Sequence, residues 1–186
     1  MKTLIRDISN IQTGIFAQPD GKGELAYLQS KHFDEYGHLH SALFPDLPAE
    51  GIAEKHLLKD GDVLFAAKGT KNFAAVFENL GYPAVASTTF FIIRINNPQK
   101  ILPHFLAWYL NSQYALNRLK ARAKGTSLPS ISKNDVEELE IPVPEIKTQK
   151  AIVAFSTLRN REKSLKQKIE FLREKQIQQQ IINAIK

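Results

Sequence analysis

Three short polar stretches of the sequence carry side chains of the kinds that contact nucleic acids. Lysine can bind a phosphate or the edge of guanine, and asparagine can bind the edge of adenine in the major groove. Ordinary surface loops have a similar composition, but three such stretches in a chain without catalytic motifs favour DNA binding. The candidate residues are Gln29, Lys31 and His32 in the first stretch, Lys68, Thr70, Lys71 and Asn72 in the second, and Lys124, Thr126 and Ser127 in the third.

Patterns for catalysis and metal binding are weak. His32, His38 and His40 occur in a polar stretch near Asp34 and could meet at a metal ion, although a solvated loop explains them better. The segment 44–55 contains acids and a lysine but lacks the acid-x-lysine pair of a nuclease strand. P-loops, dinucleotide fingerprints and Gly-x-Ser-x-Gly motifs are missing from the sequence. We therefore predict no catalytic residues, no metal site and no cofactor.

The composition indicates one globular core and a basic end. The chain has 186 residues, 43% of them hydrophobic, which is enough for one core. It contains no cysteine and no signal-peptide or membrane-spanning pattern, which predicts a cytoplasmic protein. Residues 147–186 carry ten Lys and Arg against three acids, an excess of seven positive charges within a net charge of +6. We therefore expect a negatively charged partner.

Residues 1–95 have the pattern of short strands. Asp60-Gly61 predicts a tight turn before an apolar strand at 63–67, and the β-branched and aromatic segment 82–96 predicts a further strand. The segment 4–8 fits either a first strand or a one-turn helix. We expect these strands to form a curved mixed or antiparallel sheet.

The period becomes helical after Pro103. Apolar residues at helical spacing in 102–123 predict one helix packed on the sheet. Ser132, with Asp135 at capping-box spacing, predicts the start of a short helix. The following "LEIPVP" (139–144) predicts an edge strand, because proline cannot donate a ladder hydrogen bond.

One helical pattern runs from about residue 148 to residue 185. Its apolar side chains form a coiled-coil-like stripe whose phase changes after Leu172. Such a lone helix is unstable in water unless its stripe is covered, so we expect it to bind a partner or a second copy. The residues predicted for this contact are Leu158, Leu165, Ile169, Leu172, Ile177 and Ile181.

Three segments of the chain resemble the specificity (S) subunits of type I restriction-modification systems. They are "LKDGDVLFAAKGT" (58–70), "LAWYLNSQ" (106–113) and "KGTSLPSISKNDVEELEIPVPEIKTQKAIV" (124–153). The last segment is the most specific, since it combines a glycine, a short helix, a Leu/Ile-x-Ile-Pro-x-Pro strand, a glutamine and the start of a long helix. Their order and spacing agree over nearly the whole chain.

The resemblance implies an α+β fold, in which a target-recognition domain with a curved mixed β-sheet and packed helices precedes a long C-terminal coiled-coil-forming helix. The implied DNA target-recognition domain covers residues 1–146. The implied spacer helix covers residues 147–186 and serves dimerisation and docking of methyltransferase subunits. The function implied is that of a non-catalytic specificity subunit that binds double-stranded DNA and directs methylation and cleavage by partner modification and restriction subunits.

Typical family members contain two recognition domains and two spacer helices, whereas this sequence has one of each. The chain is then either a half-subunit that homodimerises through the helix and reads a bipartite palindrome, or a fragment of a longer chain. Three other functions remain open. They are the recognition domain of another DNA-modifying or anti-phage complex, a metal-dependent nuclease or hydrolase using residues 32–46, and a structural coiled-coil adaptor.

Overall fold

The computed structural model describes residues 2–34, 37–39, 42–69, 71–122 and 130–185. Within these residues the chain forms eight strands and five α-helices. The strands are β1 Lys2–Leu4, β2 Ser9–Thr13, β3 Ala26–Leu28, β4 Val63–Ala66, β5 Ala74–Val76, β6 Ala84–Ala86, β7 Phe90–Ile95 and β8 Glu140–Pro142. The helices are α1 Ile5–Ile8, α2 Pro103–Leu110, α3 Gln113–Arg122, α4 Lys133–Glu137 and α5 Ile146–Ala184. The predicted α+β class, with packed helices and a long C-terminal helix, is confirmed.

The central sheet has four antiparallel strands in the order β2-β7-β4-β5, and both of its faces are buried. Along β4, Val63 and Phe65 enter a core shared with α2 and α3, while Leu64 and Ala66 enter a second core shared with the parallel pair β3-β6. Successive side chains of a strand point to opposite faces. The sequences of these strands are therefore continuous apolar runs, because each face of the sheet packs against other elements.

A separate two-stranded sheet lies directly before α5. In it, β1 pairs with β8 in antiparallel register, with Thr3 opposite Ile141. The Tyr109 hydroxyl on α2 donates to the Glu140 carbonyl at 2.8 Å, and burial raises the pKa of Tyr109. The predicted edge strand at 139–144 is thus present, and it is tied both to the N-terminus and to α2.

Two local predictions are confirmed, and the alternative left open for residues 4–8 is decided. Asp60 and Gly61 form a turn, with Gly61 at a φ of 84°, a left-handed conformation that glycine adopts without a Cβ clash. The lead-in at 5–8 is the single turn α1. The Asp135 amide donates to the Ser132 hydroxyl and the Ser132 amide donates to the Asp135 carboxylate, each at 3.1 Å, which is the capping box expected for α4.

The single strand predicted at 82–96 is wrong, because it is divided into β6 and β7 by a turn at residues 87–89. The Phe90 amide donates to the Ser87 carbonyl at 3.0 Å and closes this turn. The two strands also join different sheets, β6 with β3 and β7 with β2 and β4. The run of three hydroxyl residues, Ser87 to Thr89, is where the apolar pattern is interrupted.

The single helix predicted at 102–123 is also wrong, because α2 ends at Leu110 and α3 begins at Gln113. The Asn111 side chain accepts from the Ala74 amide at 2.7 Å and donates to the Ala74 carbonyl at 2.8 Å. It thereby pairs with the edge strand β5 as another strand would. Ser112 then accepts from the Ala115 amide at 3.2 Å and caps α3.

A fully buried glutamine attaches α5 to the domain. Gln149 has no exposed surface. Its side-chain oxygen accepts from the Leu102 amide at 2.9 Å, and its nitrogen donates to the carbonyls of Lys100 at 2.9 Å and Pro144 at 2.8 Å. A buried polar group that is fully hydrogen-bonded restricts its neighbours to one arrangement. The first turn of α5 is therefore held in a defined direction.

Beyond this attachment α5 projects away from the domain. Ile152 and Val153 are partly buried against the core, whereas every described residue from 161 to 185 is exposed. At a rise of about 1.5 Å per residue, the exposed part is roughly 37 Å long. None of the helices in the described part of the chain is long and apolar enough to cross a membrane.

We predict that Gln149→Ala lowers the free energy of unfolding by about 3 kcal/mol, because one buried amide and two buried carbonyls lose their partner. Urea unfolding followed by circular dichroism measures this. Gln167→Ala, at an exposed position of the same helix, should change the unfolding free energy by less than about 0.5 kcal/mol. Equal stability of the two variants would contradict the attachment role of Gln149.

Candidate nucleic-acid interface

Two of the polar stretches with candidate DNA-binding residues meet at one end of the central sheet, and Ser130, at the end of the third, lies beside them. We call residues 29–33, 67–69, 71–73 and 130 together the loop cluster. The Phe33 ring lies 5.7 Å from the Phe73 ring, and both pack on Phe90, so the first stretch contacts the second. A β-bridge joins Lys68 to Ser130, so the second stretch contacts the described end of the third.

Six of the ten predicted DNA-binding residues lie in the described part of this cluster: Gln29, Lys31, His32, Lys68, Lys71 and Asn72. Thr70, Lys124, Thr126 and Ser127 lie outside the described residues. Lys31, Lys68 and Lys71 are exposed, and they lie in the two stretches joined by the Phe33–Phe73 contact. That DNA is their ligand stays a prediction.

The loop 67–73 is ordered by its own hydrogen bonds. The Ala66 amide donates to the Phe73 carbonyl at 2.8 Å, and the Asn72 side-chain amide donates to the Ala66 carbonyl at 3.0 Å. The Ala67 amide donates to the Thr89 carbonyl at 2.9 Å. The Asn72 amide nitrogen thus already holds the loop in shape, which the sequence did not indicate.

Gln29 and His32 form a reciprocal pair around a 3-10 turn at Ser30–His32. The Gln29 side chain accepts from the His32 amide, and the Gln29 amide donates to the Nδ1 atom of His32 at 3.2 Å. Because Nδ1 accepts a hydrogen bond, the proton of the neutral ring is on Nε2. The turn presents the exposed Lys31 between these two residues.

The turn at 87–89 belongs to the same surface and was missed by the sequence prediction. The Ser87 amide donates to the Leu28 carbonyl at 2.8 Å, and the Ser87 and Thr89 hydroxyls lie 2.6 Å apart. Gly14 packs against this turn so closely that a Cβ there would be 2.2 Å from the Ser87 carbonyl oxygen. The hydroxyl run could have been recognised as a turn, but its position beside the loop cluster follows only from the strand pairing.

A groove of about 790 Å³ connects the loop cluster with α5. Its lining includes His38, Asn72, Trp108 of α2, and Val153 and Asn160 of α5. Ligands bound along this groove would therefore contact both the loops and the first turns of α5.

Arg94 of β7 forms an ion pair with Asp62. Its guanidinium donates to both carboxylate oxygens of Asp62, at 2.8 and 2.6 Å, and to the Leu57 carbonyl at 3.2 Å. The hydrogen bonds with Asp62 raise the pKa of Arg94. Since the Asp62 side chain is only 2% exposed, the pair joins β7 to the turn before β4.

The candidate residues for hydrolytic chemistry are held in structural contacts. The Asp46 carboxylate accepts from the Tyr27 amide at 3.1 Å, and the Asp34 carboxylate lies 3.0 Å from the Nδ1 atom of His38. In the ranges that the structure describes, no group of three His, Asp or Glu side chains is placed to hold a metal ion. His40 lies outside these ranges.

A family model described as the type I restriction modification DNA specificity domain matches residues 48–183. The match includes the loop at 67–73, the strands β4 to β8, the helices α2 to α4 and almost all of α5. The chain belongs to this family. The resemblance in the three sequence segments is confirmed, and so is the expectation of a specificity domain rather than an enzyme.

Solved structures share the fold of this specificity domain. The S subunit of the type I system from M. genitalium is 19% identical, with a TM-score of 0.60 over 94% of this chain and 42% of that chain. The HsdS subunit from Thermoanaerobacter tengcongensis is 23% identical, with a TM-score of 0.65 over 90% of this chain and 44% of that one. A third solved chain, from a structure of the assembly and conformational transition of the type I R-M system, is 18% identical. Its TM-score is 0.63 over 90% of this chain and 40% of that chain.

The specificity domain therefore spans about two-fifths of the length of these solved proteins. No curated protein matches the chain.

We predict that Arg94→Ala lowers the free energy of unfolding by about 3 kcal/mol, because it leaves the buried Asp62 carboxylate without its cation. Urea unfolding checks the stability, and titration with DNA under native conditions should give an unchanged affinity. Arg6→Ala removes a surface pair of 3.9 Å and should cost less than about 1 kcal/mol. A loss of DNA affinity in folded Arg94→Ala would contradict the structural role.

Proposed function

We propose that this chain is the non-catalytic DNA-recognition component of a type I restriction-modification system and directs methylation and cleavage by partner subunits. The observation that carries this proposal is the convergence of the polar loops, with three exposed lysines, at one end of a domain of this family. The recognition domain covers residues 1–146, and residues 147–186 form the spacer helix. No metal or cofactor is needed for this role.

The loop cluster contacts the DNA in two ways. Lys31, Lys68 and Lys71 neutralise phosphates, which supplies affinity without sequence information. Gln29 and Asn72, in loops held by their own hydrogen bonds, approach base edges in the major groove. Outside residues 147–186 the chain has a net charge of −1, so DNA binding depends on where these lysines lie and not on the overall charge of the domain.

The chemistry belongs to partner subunits. Enzymes that methylate a base must turn it out of the duplex, and this chain supplies the sequence choice and the position. Methyltransferase subunits bind α5 and through them the restriction subunit joins the complex. The Gln149 attachment holds α5 in one direction, so a partner bound to the helix is placed at a defined distance from the loop cluster.

Two copies pair through α5 and read a bipartite palindrome. The apolar side chains of Leu158, Leu165, Ile169 and Leu172 are between 48% and 67% exposed, and covering them favours association. In a two-fold dimer both copies contribute the same surface to the contact. The symmetry of the protein then requires a symmetric DNA site with two separated halves.

We predict that one DNA sequence, selected from a random pool, binds at least about 10³-fold more tightly than random duplex, with affinity falling as salt rises. Lys71→Ala or Asn72→Ala should weaken specific binding by about 1–3 kcal/mol if the side chain contacts a base. Fluorescence anisotropy with both duplexes measures this.

Lys100→Ala is the matched control for Lys71→Ala. Lys100 is exposed in the turn after β7, whereas the loop cluster lies at the opposite end of that strand. This control should retain full specific affinity. Equal affinity of the parent for selected and random duplexes would overturn the proposed function.

We predict that Leu165→Asp and Leu172→Asp are monomeric, because a carboxylate in the helix contact is costly to bury. Sedimentation equilibrium at micromolar protein gives the mass. Gln167→Asp places the same charge at a neighbouring exposed position outside the stripe and should leave the dimer intact. An unchanged dimer mass for Leu165→Asp would contradict pairing through α5.

A further inference from the structure

Phe16 is the most exposed aromatic residue in the part of the chain that the structure describes, with 78% of its surface open to solvent. It lies shortly after β2, at the end of the central sheet where the loop cluster also lies. The DNA contacts in the proposed function are all made by polar or charged side chains, so this ring has no role among them. Its position and its fixed backbone decide what it can bind.

Three chain segments run side by side and in parallel at this end of the domain. Strand β3 pairs in parallel with β6, and Ile15 forms a parallel β-bridge with Ser87, the residue directly after β6. Continuing the register of β3 and β6 by one residue places Gln29, whose backbone is extended, opposite Ser87. Gln29, Ser87 and Ile15 therefore form one row across the three segments. Phe16 is the next residue beyond this row.

The row is narrow enough for its two ends to reach the same groove of DNA. The Ile15 amide donates to the Ala86 carbonyl at 2.9 Å, so these segments are in direct contact. Neighbouring strands lie about 4.8 Å apart, which puts the backbone of Ile15 roughly 10 Å from that of Gln29. The major groove of B-DNA is about 12 Å wide. The side chains of Gln29 and Phe16 can therefore enter one major groove together.

The hydroxyl of the buried Tyr27 fixes the backbone on both sides of Phe16. It donates to the Ile15 carbonyl at 3.0 Å and accepts from the Ala17 amide at 3.3 Å. Tyr27 belongs to β3 and is only 3% exposed. Since both neighbours of Phe16 are bonded to one buried residue, the ring is held at the surface by a defined backbone.

The surroundings of the ring favour DNA as its ligand. Lys31 is exposed two residues after Gln29, and the Ser87 and Thr89 hydroxyls lie in the turn between Gln29 and Phe16. A ligand that reaches Phe16 from this side therefore also meets an ammonium group and hydroxyl groups. Duplex DNA supplies phosphates for the ammonium group and one apolar group in the major groove, the C5 methyl of thymine.

We propose that Phe16 is a further specificity-determining residue, whose ring contacts the methyl group of a thymine in the major groove. The inference rests on the proposed function and adds an apolar base contact to the polar ones. Apolar side chains recognise thymine in this way because no other base of unmodified DNA presents a methyl group there.

The first test compares the affinities of the parent and Phe16→Ala for the selected duplex and for random duplex by fluorescence anisotropy. Phe16→Ala should bind the selected duplex at least about fivefold more weakly, because one base contact is lost. Its affinity for random duplex should change by less than about twofold, because the phosphate contacts remain. Urea unfolding of this variant should match the parent, since the ring is exposed.

The second test removes the methyl group from the DNA. Each thymine of the selected duplex is replaced in turn by deoxyuridine, which differs from thymidine only by this group. At one position at least, the replacement should weaken binding of the parent by about fourfold, the effect of leaving one methyl group in water. The same replacement should have almost no effect on Phe16→Ala, because the partner of the methyl group is already missing.

Phe44→Ala is the matched control, because Phe44 is also an exposed phenylalanine, with 73% of its surface open. The Leu43 carbonyl accepts from the Tyr82 hydroxyl, and the Asp46 amide donates to the Leu25 carbonyl at 3.0 Å. Phe44 therefore lies near the starts of β3 and β6, at the ends away from the row. This control should keep the specific affinity of the parent and its response to deoxyuridine.

Three results would overturn the inference alone. They are a selective parent whose specific affinity Phe16→Ala does not change, a selective parent that responds to no thymine replacement, and a response that persists unchanged in Phe16→Ala. Equal affinity of the parent for selected and random duplexes would instead overturn the proposed function, and this inference with it.

Discussion

The direction in which α5 leaves the domain depends on one buried side chain. Gln149 accepts from the Leu102 amide and donates to the carbonyls of Lys100 and Pro144, with no exposed surface. These contacts join the turn after β7, the exit of β8 and the first turn of α5. An unsatisfied polar group there would be costly. Three directional hydrogen bonds therefore attach α5 to the domain. Apolar packing alone would allow the helix to shift along its contact surface.

Buried contacts also fix the position of the loop cluster relative to the central sheet. The central sheet is buried on both faces, so its strands cannot shift without moving two cores. At one end of β7 the turn at 87–89 and the loop at 67–73 are joined by the bond between the Ala67 amide and the Thr89 carbonyl. At the other end the chain continues to the residues that hold Gln149. The loop cluster and the anchor of α5 thus lie at opposite ends of one strand, β7.

Charge is distributed unevenly between the domain and α5. Residues 1–146 have a net charge of −1, whereas residues 147–186 carry an excess of seven positive charges. The exposed part of α5 carries apolar side chains and cations side by side, so salt weakens the attraction of this helix for anionic partners.

The sequence alone determined the α+β class, the capping box at Ser132, the long helix and the resemblance to specificity subunits, because these depend on residues close together in the chain. It misjudged the elements at 82–96 and 102–123. The local pattern at each is continuous, and the break is made by distant partners: Leu28 for Ser87 and Ala74 for Asn111.

The composition of the polar stretches was visible in the sequence, but their convergence was not. Phe33, Phe73 and Phe90 bring two of them together, and the pairing of Lys68 with Ser130 adds the described end of the third. Only the tertiary structure decided which donors are already used within the fold, as with Asn72, and that the glutamine in the first turn of α5 is an anchor. Those roles depend on contacts between residues tens of positions apart, and local sequence patterns carry no information about such contacts.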